Sequence, residues 1–300
     1  MEKNRLGIGF IGGGFISRFH IQSLLGVRDV DVVGVVSKTK QSAEDTAALA
    51  NELGVGPAKA FDTITEMVED PGVDALWVCS PNYTRIETFE EIANAVSSSK
   101  GELIGVACEK PLGRNVAEAK KVLELTQSAN LLDGYLENQV FSPSITRGKE
   151  IIWARGAATT GRPFLARAAE EHSGPHMPWF WEGELQGGGV LNDMMCHSVE
   201  EARFLLTEPG KPRDSIKPIS VSAHTDCLKW QRPKYADILS KNSGGKTDYS
   251  QRPSEDFARS LIEYLDDNGE KIIVETTTSW CFVGEGLRLS LELFGPEYSM

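Results

Sequence analysis

The sequence is short of cysteine, of positive charge and of long apolar runs, and each shortage excludes a class of protein. Its five cysteines, Cys79, Cys108, Cys196, Cys227 and Cys281, are scattered, odd in number and nowhere arranged as CxxC. That argues against a disulfide framework and predicts reduced thiols in a cytoplasmic protein. A formal net charge of -12 argues against a nucleic-acid surface, which needs a basic stripe, though not against one local basic pocket. No apolar run approaches the ~20 residues that a membrane span requires. Met1 to Arg5 followed by Leu6 to Ile16 has the outline of a secretory leader, but five glycines break the apolar stretch and no A-x-A site follows. Ser17-Arg18-Phe19-His20 continue it as a helix, so it is read as part of the fold. There is no HExxH spacing and no internal repeat.

What is present has ordinary globular composition: 300 residues, 40% hydrophobic and 25% charged. A single core rarely grows beyond ~250–300 residues, so two domains are expected, over 1–133 and 134–300. Residues 6–11, 30–36, 73–79, 103–108 and 131–136 are short apolar runs that predict buried strands. Helical stretches alternate with them up to Leu25 and over 41–53, 63–69, 84–96 and 116–129, with Thr63 as an N-cap. This alternation predicts an α/β fold whose first domain is a doubly wound parallel sheet. Beyond 134 the rhythm changes. Helices are expected over 142–154 and 190–206, and strands over 165–171, 217–225, 257–264, 271–279 and 286–294. Their alternation predicts an open mixed sheet with one solvated or partner-facing side. The polar segment 228–255 reads as a long loop: a lid, an interface element or a mobile segment. The chain stops at Met300, six residues after a strong strand, which reads as a truncated or unusually short second domain.

Two registers of a G-x-G-x-x-G-like turn compete. A start at Gly7 leaves only the charged MEKNRL as its strand. A start at Gly12 has RLGIGFI before it and FISRFHIQSL after it, the strand–turn–helix context that the motif needs. In that register Gly12 makes the tight turn, Gly14 lets backbone approach a pyrophosphate, and Ser17 permits close helix–strand packing. The helix N-terminus then faces the anion. A Rossmann-type dinucleotide site follows from this reading. An acid near the end of the second strand usually holds the ribose 2′-hydroxyl. Asp31 has the naive spacing but begins its strand. The carboxyl end carries Ser37, Lys38, Thr39 and Lys40, none acidic, which favours a 2′-phosphate and so NADP, with NAD as the alternative.

Three further pieces stand out: Ser80-Pro81-Asn82 after one predicted strand, Cys108-Glu109-Lys110-Pro111 after another, and GGGVLNDMMCH over 187–197. The first two lie where ligands of open α/β sheets bind. Asp193 and His197 are four apart and share a helix face, and Gly187-Gly188-Gly189 bring backbone close to something just before it. In this order GGGFIS, SPN, EKP and GGGVLNDMMCH make the whole chain resemble the Gfo/Idh/MocA oxidoreductases, named for glucose–fructose oxidoreductase and inositol dehydrogenase. The resemblance implies a Rossmann domain followed by an α/β domain whose large sheet forms a homodimer or homotetramer interface, and a sugar or polyol substrate. It implies that Lys110 is the catalytic lysine, stabilising charge on the reacting oxygen, with His197 the general acid/base and Asp193 orienting substrate or imidazole. The implied cofactor-binding set is Gly12, Gly14, Phe15, Ile16, Ser37, Lys38, Ser80, Pro81, Asn82, Glu109 and Lys110. Many relatives carry a histidine three positions after the Asn of the PN motif. This chain has Arg85, which reads either as a contact for an acidic or phosphorylated substrate or as a helix-surface charge.

The segment EEHSGPHMPWFWE, 170–182, is unusual. Trp179, Phe180 and Trp181 beside His172 and His176 form either an aromatic wall for a sugar face or a hydrophobic plug. On the first reading the substrate set is Lys110, His172, Trp179, Trp181, Asp193 and His197. The histidines with Glu137, Asp193 and His197 are an alternative divalent-metal set, but no tight ligand spacing supports it and no metal is expected. The leading expectation is hydride transfer between a nicotinamide cofactor and a CH–OH group. Transient oxidation serving a glycosidase, lyase or epimerase is the alternative, and a non-enzymatic cofactor-binding regulator is a third reading.

Overall fold

The computed structural model describes residues 5–300, and Met1 to Asn4, the head of the stretch weighed as a leader, lie outside that range. The chain divides into two compact units, one ending at Leu136 and one spanning Glu137–Met300.

In the first unit the short apolar runs form β1 (Leu6–Ile11), β2 (Val30–Val36), β3 (Lys59–Ala60), β4 (Ala75–Val78), β5 (Gly105–Glu109) and β6 (Leu132–Leu136). They build one parallel sheet in the order β3-β2-β1-β4-β5-β6. The helices are α1 (Phe15–Ser23), α2 (Lys40–Glu52), α3 (Ile64–Glu69), α4 (Arg85–Ser97) and α5 (Val116–Ser128). Because strand side chains alternate between faces, Ile8 and Phe10 pack with Ile21 of α1 and Ala43, Ala47 and Ala50 of α2. Ile11 packs instead with Met67 of α3, Phe89 of α4 and Val122 of α5. This is the doubly wound arrangement that the alternation predicts. The two-residue β3 is too short to leave a periodic signal. Thr63 caps α3 by accepting from the Glu66 N–H at 3.1 Å, and Thr39 and Asn115 cap α2 and α5 in the same way. By contrast, α1 starts from Gly14 with no side-chain cap.

The second unit holds α6 (Pro143–Ile151), continued by wider turns over Ile152–Ala157, then α7 (Ala158–Thr160), α8 (Gly183–Gln186), α9 (Val190–Leu206) and α10 (Pro233–Asn242). Its strands are β7 (Leu165–Glu171), β8 (Ile216–Asp226), β9 (Phe257–Asp266), β10 (Lys271–Ser279) and β11 (Arg288–Phe294). The sheet order is β11-β7-β10-β9-β8, with β7 and β10 parallel and the other pairs antiparallel. Burial alternates along β9 and β10. The covered face packs Ala166, Ala168, Ile272 and Val274 against Ala202 and Leu205 of α9. The other face is solvated, and nearly all of β8 is exposed. No helix among the described residues is long and apolar enough to cross a membrane.

The segment 228–255 departs from the expected loop, because it contains α10. Pro233 occupies the first turn, where a missing N–H costs nothing, and only Ala236 and Leu239 are buried. Two apolar residues three apart are too thin a stripe to stand out from a polar sequence. Asp256 pins the entry to this segment. It is fully buried, and its carboxylate accepts the N–H groups of Leu228, Lys229 and Trp230 at 2.7, 2.9 and 2.7 Å. Asp256→Ala would strand three backbone donors at ~1–3 kcal/mol each. The expected outcome is a loss of about 3 kcal/mol or more, measured as a lower midpoint in urea unfolding.

Candidate functional site

The turn after β1 approaches the end of β4 where the strand order reverses, which is where open α/β sheets bind ligands. Gly12 has φ +111, and a Cβ there would lie 3.0 Å from the Cys79 carbonyl carbon and oxygen and 3.1 Å from the Ser80 nitrogen. Gly13 is locked from the other side. Its N–H donates to Ser37 Oγ at 3.2 Å, and its carbonyl accepts from Ser42 and Thr46 at 3.3 and 3.2 Å. Gly14 differs from both, since a Cβ there would meet nothing within 4 Å. It opens to solvent at the uncapped start of α1, Phe15 is 84% exposed, and Ser17 is fully buried against the fold. Unsatisfied N–H groups and the positive end of the helix dipole in an open cradle fit a phosphate group.

At the far end of β2, Lys38 is exposed and makes no ion pair among the described residues, whereas Lys40 pairs with Asp62 at 3.0 Å. Asp31, at the near end, is held by Arg5 at 2.8 Å. No acid follows Val36 until Glu44.

Arg85 is neither a substrate contact nor a surface charge. It is 2% exposed. Its Nε donates to the Ser80 carbonyl at 3.0 Å, and Nη1 donates to the Glu109 carbonyl and to Cys108 Sγ. One guanidinium therefore ties the SPN segment after β4 to the EKP segment at the end of β5. Glu109 is buried and bonds His20 Nε2 of α1 at 2.7 Å, while its other oxygen accepts the Lys110 N–H at 2.9 Å. Asn82 is buried beside them, and the Lys110–Pro111 peptide is cis. Burial, then Glu109, pushes the Cys79 thiol up to about 12, so it is no nucleophile.

In the second unit Asp193, His197 and Glu201 follow one another at i, i+4 and i+8 along α9, and all three are buried. His197 Nδ1 lies 2.6 Å from Glu137 Oε1. Asp193 Oδ2 accepts from Trp280 Nε1 at 3.2 Å and lies 3.9 Å from His172 Nε2. The Gly174 N–H donates to His172 Nδ1 at 2.9 Å, which leaves the Nε2 position to carry the proton that faces Asp193. His176 is exposed. Of the metal set considered from sequence, only Glu137 and His197 gather tightly, with Cys196 in place of the other histidines; their donor atoms lie within 4.8 Å of one another.

Trp181 is buried, with its indole centroid 4.9 Å from those of Trp230 and Trp280 and its N–H on the Pro175 carbonyl. It belongs to the plug. Trp179 stacks on Phe180 at 3.9 Å, and both are half-buried. Of the glycines over 187–189, Gly189 is crowded by protein: a Cβ there would lie 2.0 Å from the Glu255 carbonyl oxygen, whereas one at Gly188 would come no nearer than 3.4 Å to the Glu255 carboxylate. Glu255 also caps α9, accepting the Gly189 and Leu191 N–H groups at 2.7 and 3.2 Å.

Two family models match this chain, one after the other. "Oxidoreductase family, NAD-binding Rossmann fold" covers residues 6–133, and "GFO/IDH/MocA C-terminal domain" covers 156–299. The chain belongs to the GFO/IDH/MocA family. Among curated members, myo-inositol 2-dehydrogenase of Thermotoga maritima is 28% identical over 202 residues, 67% of this chain and 55% of that protein. The 1,5-anhydro-D-fructose reductase of Ensifer adhaerens is 30% identical over 67% of this chain and 56% of that protein. The chain thus spans about half the length of these GFO/IDH/MocA relatives. Among solved structures, GenD2 from gentamicin A biosynthesis in complex with NAD is similar at 27% identity and TM-score 0.74, covering 99% of this chain and 71% of that one.

Two residues of the site carry no local signal in the sequence. Glu137 pairs with a histidine sixty positions on, and Glu201 extends the Asp193–His197 line by one more turn. Burial, and then Glu170, pushes the Glu201 carboxyl up to about 7 from an ordinary 4.5. The folded pKa is raised, so this group's contribution to stability is full below pH 4.5 and lost as pH rises through about 7. Glu201→Gln removes the cost of ionising it. The variant is expected to exceed the parent by on the order of 2–3 kcal/mol at pH 8 and to match it near pH 4, read from urea unfolding at both.

Proposed function

We propose that the protein is a nicotinamide-dependent oxidoreductase acting on a CH–OH group of a sugar or polyol, with NADP preferred over NAD. The observation that carries the reading is the open Gly14 cradle at the uncapped start of α1, in a chain of this family. The backbone of Gly12, Gly14, Phe15 and Ile16 takes the pyrophosphate. Ser37 and the exposed Lys38 take the ribose 2′ end, where a carboxylate would repel a phosphate and this chain has none. The NAD in GenD2 supports NAD as the alternative. Ser80, Pro81, Asn82, Glu109 and Lys110 form the nicotinamide end. When bound, the cofactor accepts or returns a hydride. His197 takes the hydroxyl proton, Lys110 donates to the reacting oxygen, and Asp193 with His172 orients the substrate. Trp179 offers an apolar face to the sugar ring.

In this reading residues 1–133 form the cofactor domain and 134–300 the substrate domain. The solvated sheet face of the second unit serves a homodimer or homotetramer interface, and the reduced thiols suit a cytoplasmic protein. The test is a panel of sugars and polyols, with myo-inositol and levoglucosan included, assayed for reduction of NADP and NAD. Lys110→Ala is expected to lower kcat/KM by about 100-fold or more on the best substrate. Lys38→Glu is expected to lower kcat/KM for NADP about 10- to 100-fold and to leave NAD within a few-fold. Unchanged turnover in the Lys110 variant would sink the catalytic assignment. Product formed without net reduced cofactor would point to the elimination or epimerisation alternative.

A further inference from the structure

We infer that Glu137 is a positioning residue for His197: it holds the imidazole proton on Nδ1 and so leaves Nε2 as the base. The inference rests on the functional reading above for the role of His197, but its geometry stands alone. Glu137 and His197 are 4% and 5% exposed, and Glu137 Oε1 lies 2.6 Å from Nδ1. The same oxygen accepts the Gln139 N–H at 3.1 Å. That amide marks Oε1 as an accepting oxygen, and in our proposal Nδ1–H is the second donor to it. Glu137 Oε2 is buried with no hydrogen-bond partner among the described residues, so a proton placed there would have no acceptor. As a carboxylate, Glu137 sets a negative charge beside the ring.

A metal ion bridging Glu137, Cys196 and His197 is the competing explanation of the cluster. Two ligands on one ion with bonds of ~2.0–2.1 Å sit roughly 3.3 Å apart at a tetrahedral angle. The 2.6 Å separation is that of a direct hydrogen bond, and the EDTA arm of the test separates the two explanations.

The ring lies in acidic surroundings. From α9, Asp193, Cys196 and Glu201 share its neighbourhood; Glu170 comes from β7, His172 from the turn after it, and Gln139 is the neutral neighbour beside Glu137. Glu137 alone makes the direct contact with Nδ1. The proton balance is simple. The substrate O–H bond breaks, its proton goes to Nε2, and the Nδ1 proton stays on the ring against Glu137. A bound nicotinamide cofactor would supply the hydride acceptor for the C–H bond, and in the reverse direction the Nε2 proton returns to oxygen. Glu137 itself is not protonated in either direction.

The test is nitrogen NMR of the full chain without ligand, with His197 assigned among the five histidines by His197→Asn. At alkaline pH the parent is expected to show a protonated Nδ1 and a bare Nε2. Glu137→Gln keeps the shape but loses the charge, and is expected to lower the His197 titration midpoint by about one pH unit. Glu137→Leu removes the acceptor and is expected to give a mixture of tautomers, with the circular dichroism spectrum of each variant compared to that of the parent. With a panel substrate, Glu137→Gln is expected to lower kcat tenfold or more with KM within twofold. A bare Nδ1 in the parent, an unmoved midpoint in Glu137→Gln, or a His197 spectrum that changes on EDTA treatment would overturn the inference. The functional reading fails separately, if His197→Asn keeps parental turnover.

Discussion

The first unit depends on one close approach of backbone to backbone. The turn after β1 passes the end of β4 so tightly that a single added carbon at Gly12 would press on the backbone of Cys79 and Ser80 at 3.0–3.1 Å. That contact sets where α1 begins and which way its free N–H groups point. It also leaves Gly14 as the open glycine of the turn's three. The chemistry proposed for this unit starts from that geometry: the head of α1 is open because neighbouring glycines are consumed by packing and the last is not.

The second unit repeats the device for a different purpose. Gly189 lies against the backbone of Glu255, and the Glu255 carboxylate caps the helix that starts there. The glycines thus serve the helix, and the helix serves the line of Asp193, His197 and Glu201. Fixing the start of α9 fixes the rotation of that line, and a half-turn error would bury apolar residues where the acids now lie. The latch at Asp256 holds the adjoining segment by the same currency of backbone N–H groups on a carboxylate.

Most of the fold was legible in the sequence, because apolar runs and helical stripes are local signals. The register of the glycine turn was legible for the same reason: a strand must precede it and a helix must follow. What stayed hidden was pairing at a distance. Nothing near Gly189 reveals that its crowding partner is Glu255. Nothing near Glu137 points to His197. Arg85 at the head of a helix looks like any solvated charge, and only the fold shows it buried. Trp181 and Trp179 are chemically alike, yet one is core and the other half-exposed. The helix α10 was missed because its buried stripe is two small or medium residues in a polar run.

Arg85 has one consequence for how the protein behaves as its surroundings change. A histidine joining the ends of β4 and β5 would gain and lose its charge across the physiological range, and the joint would loosen and tighten with it. A guanidinium does not deprotonate under such conditions. The Arg85 bonds between the SPN and EKP segments therefore keep their donor whatever the acidity, a fixed rivet beside the His20–Glu109 contact.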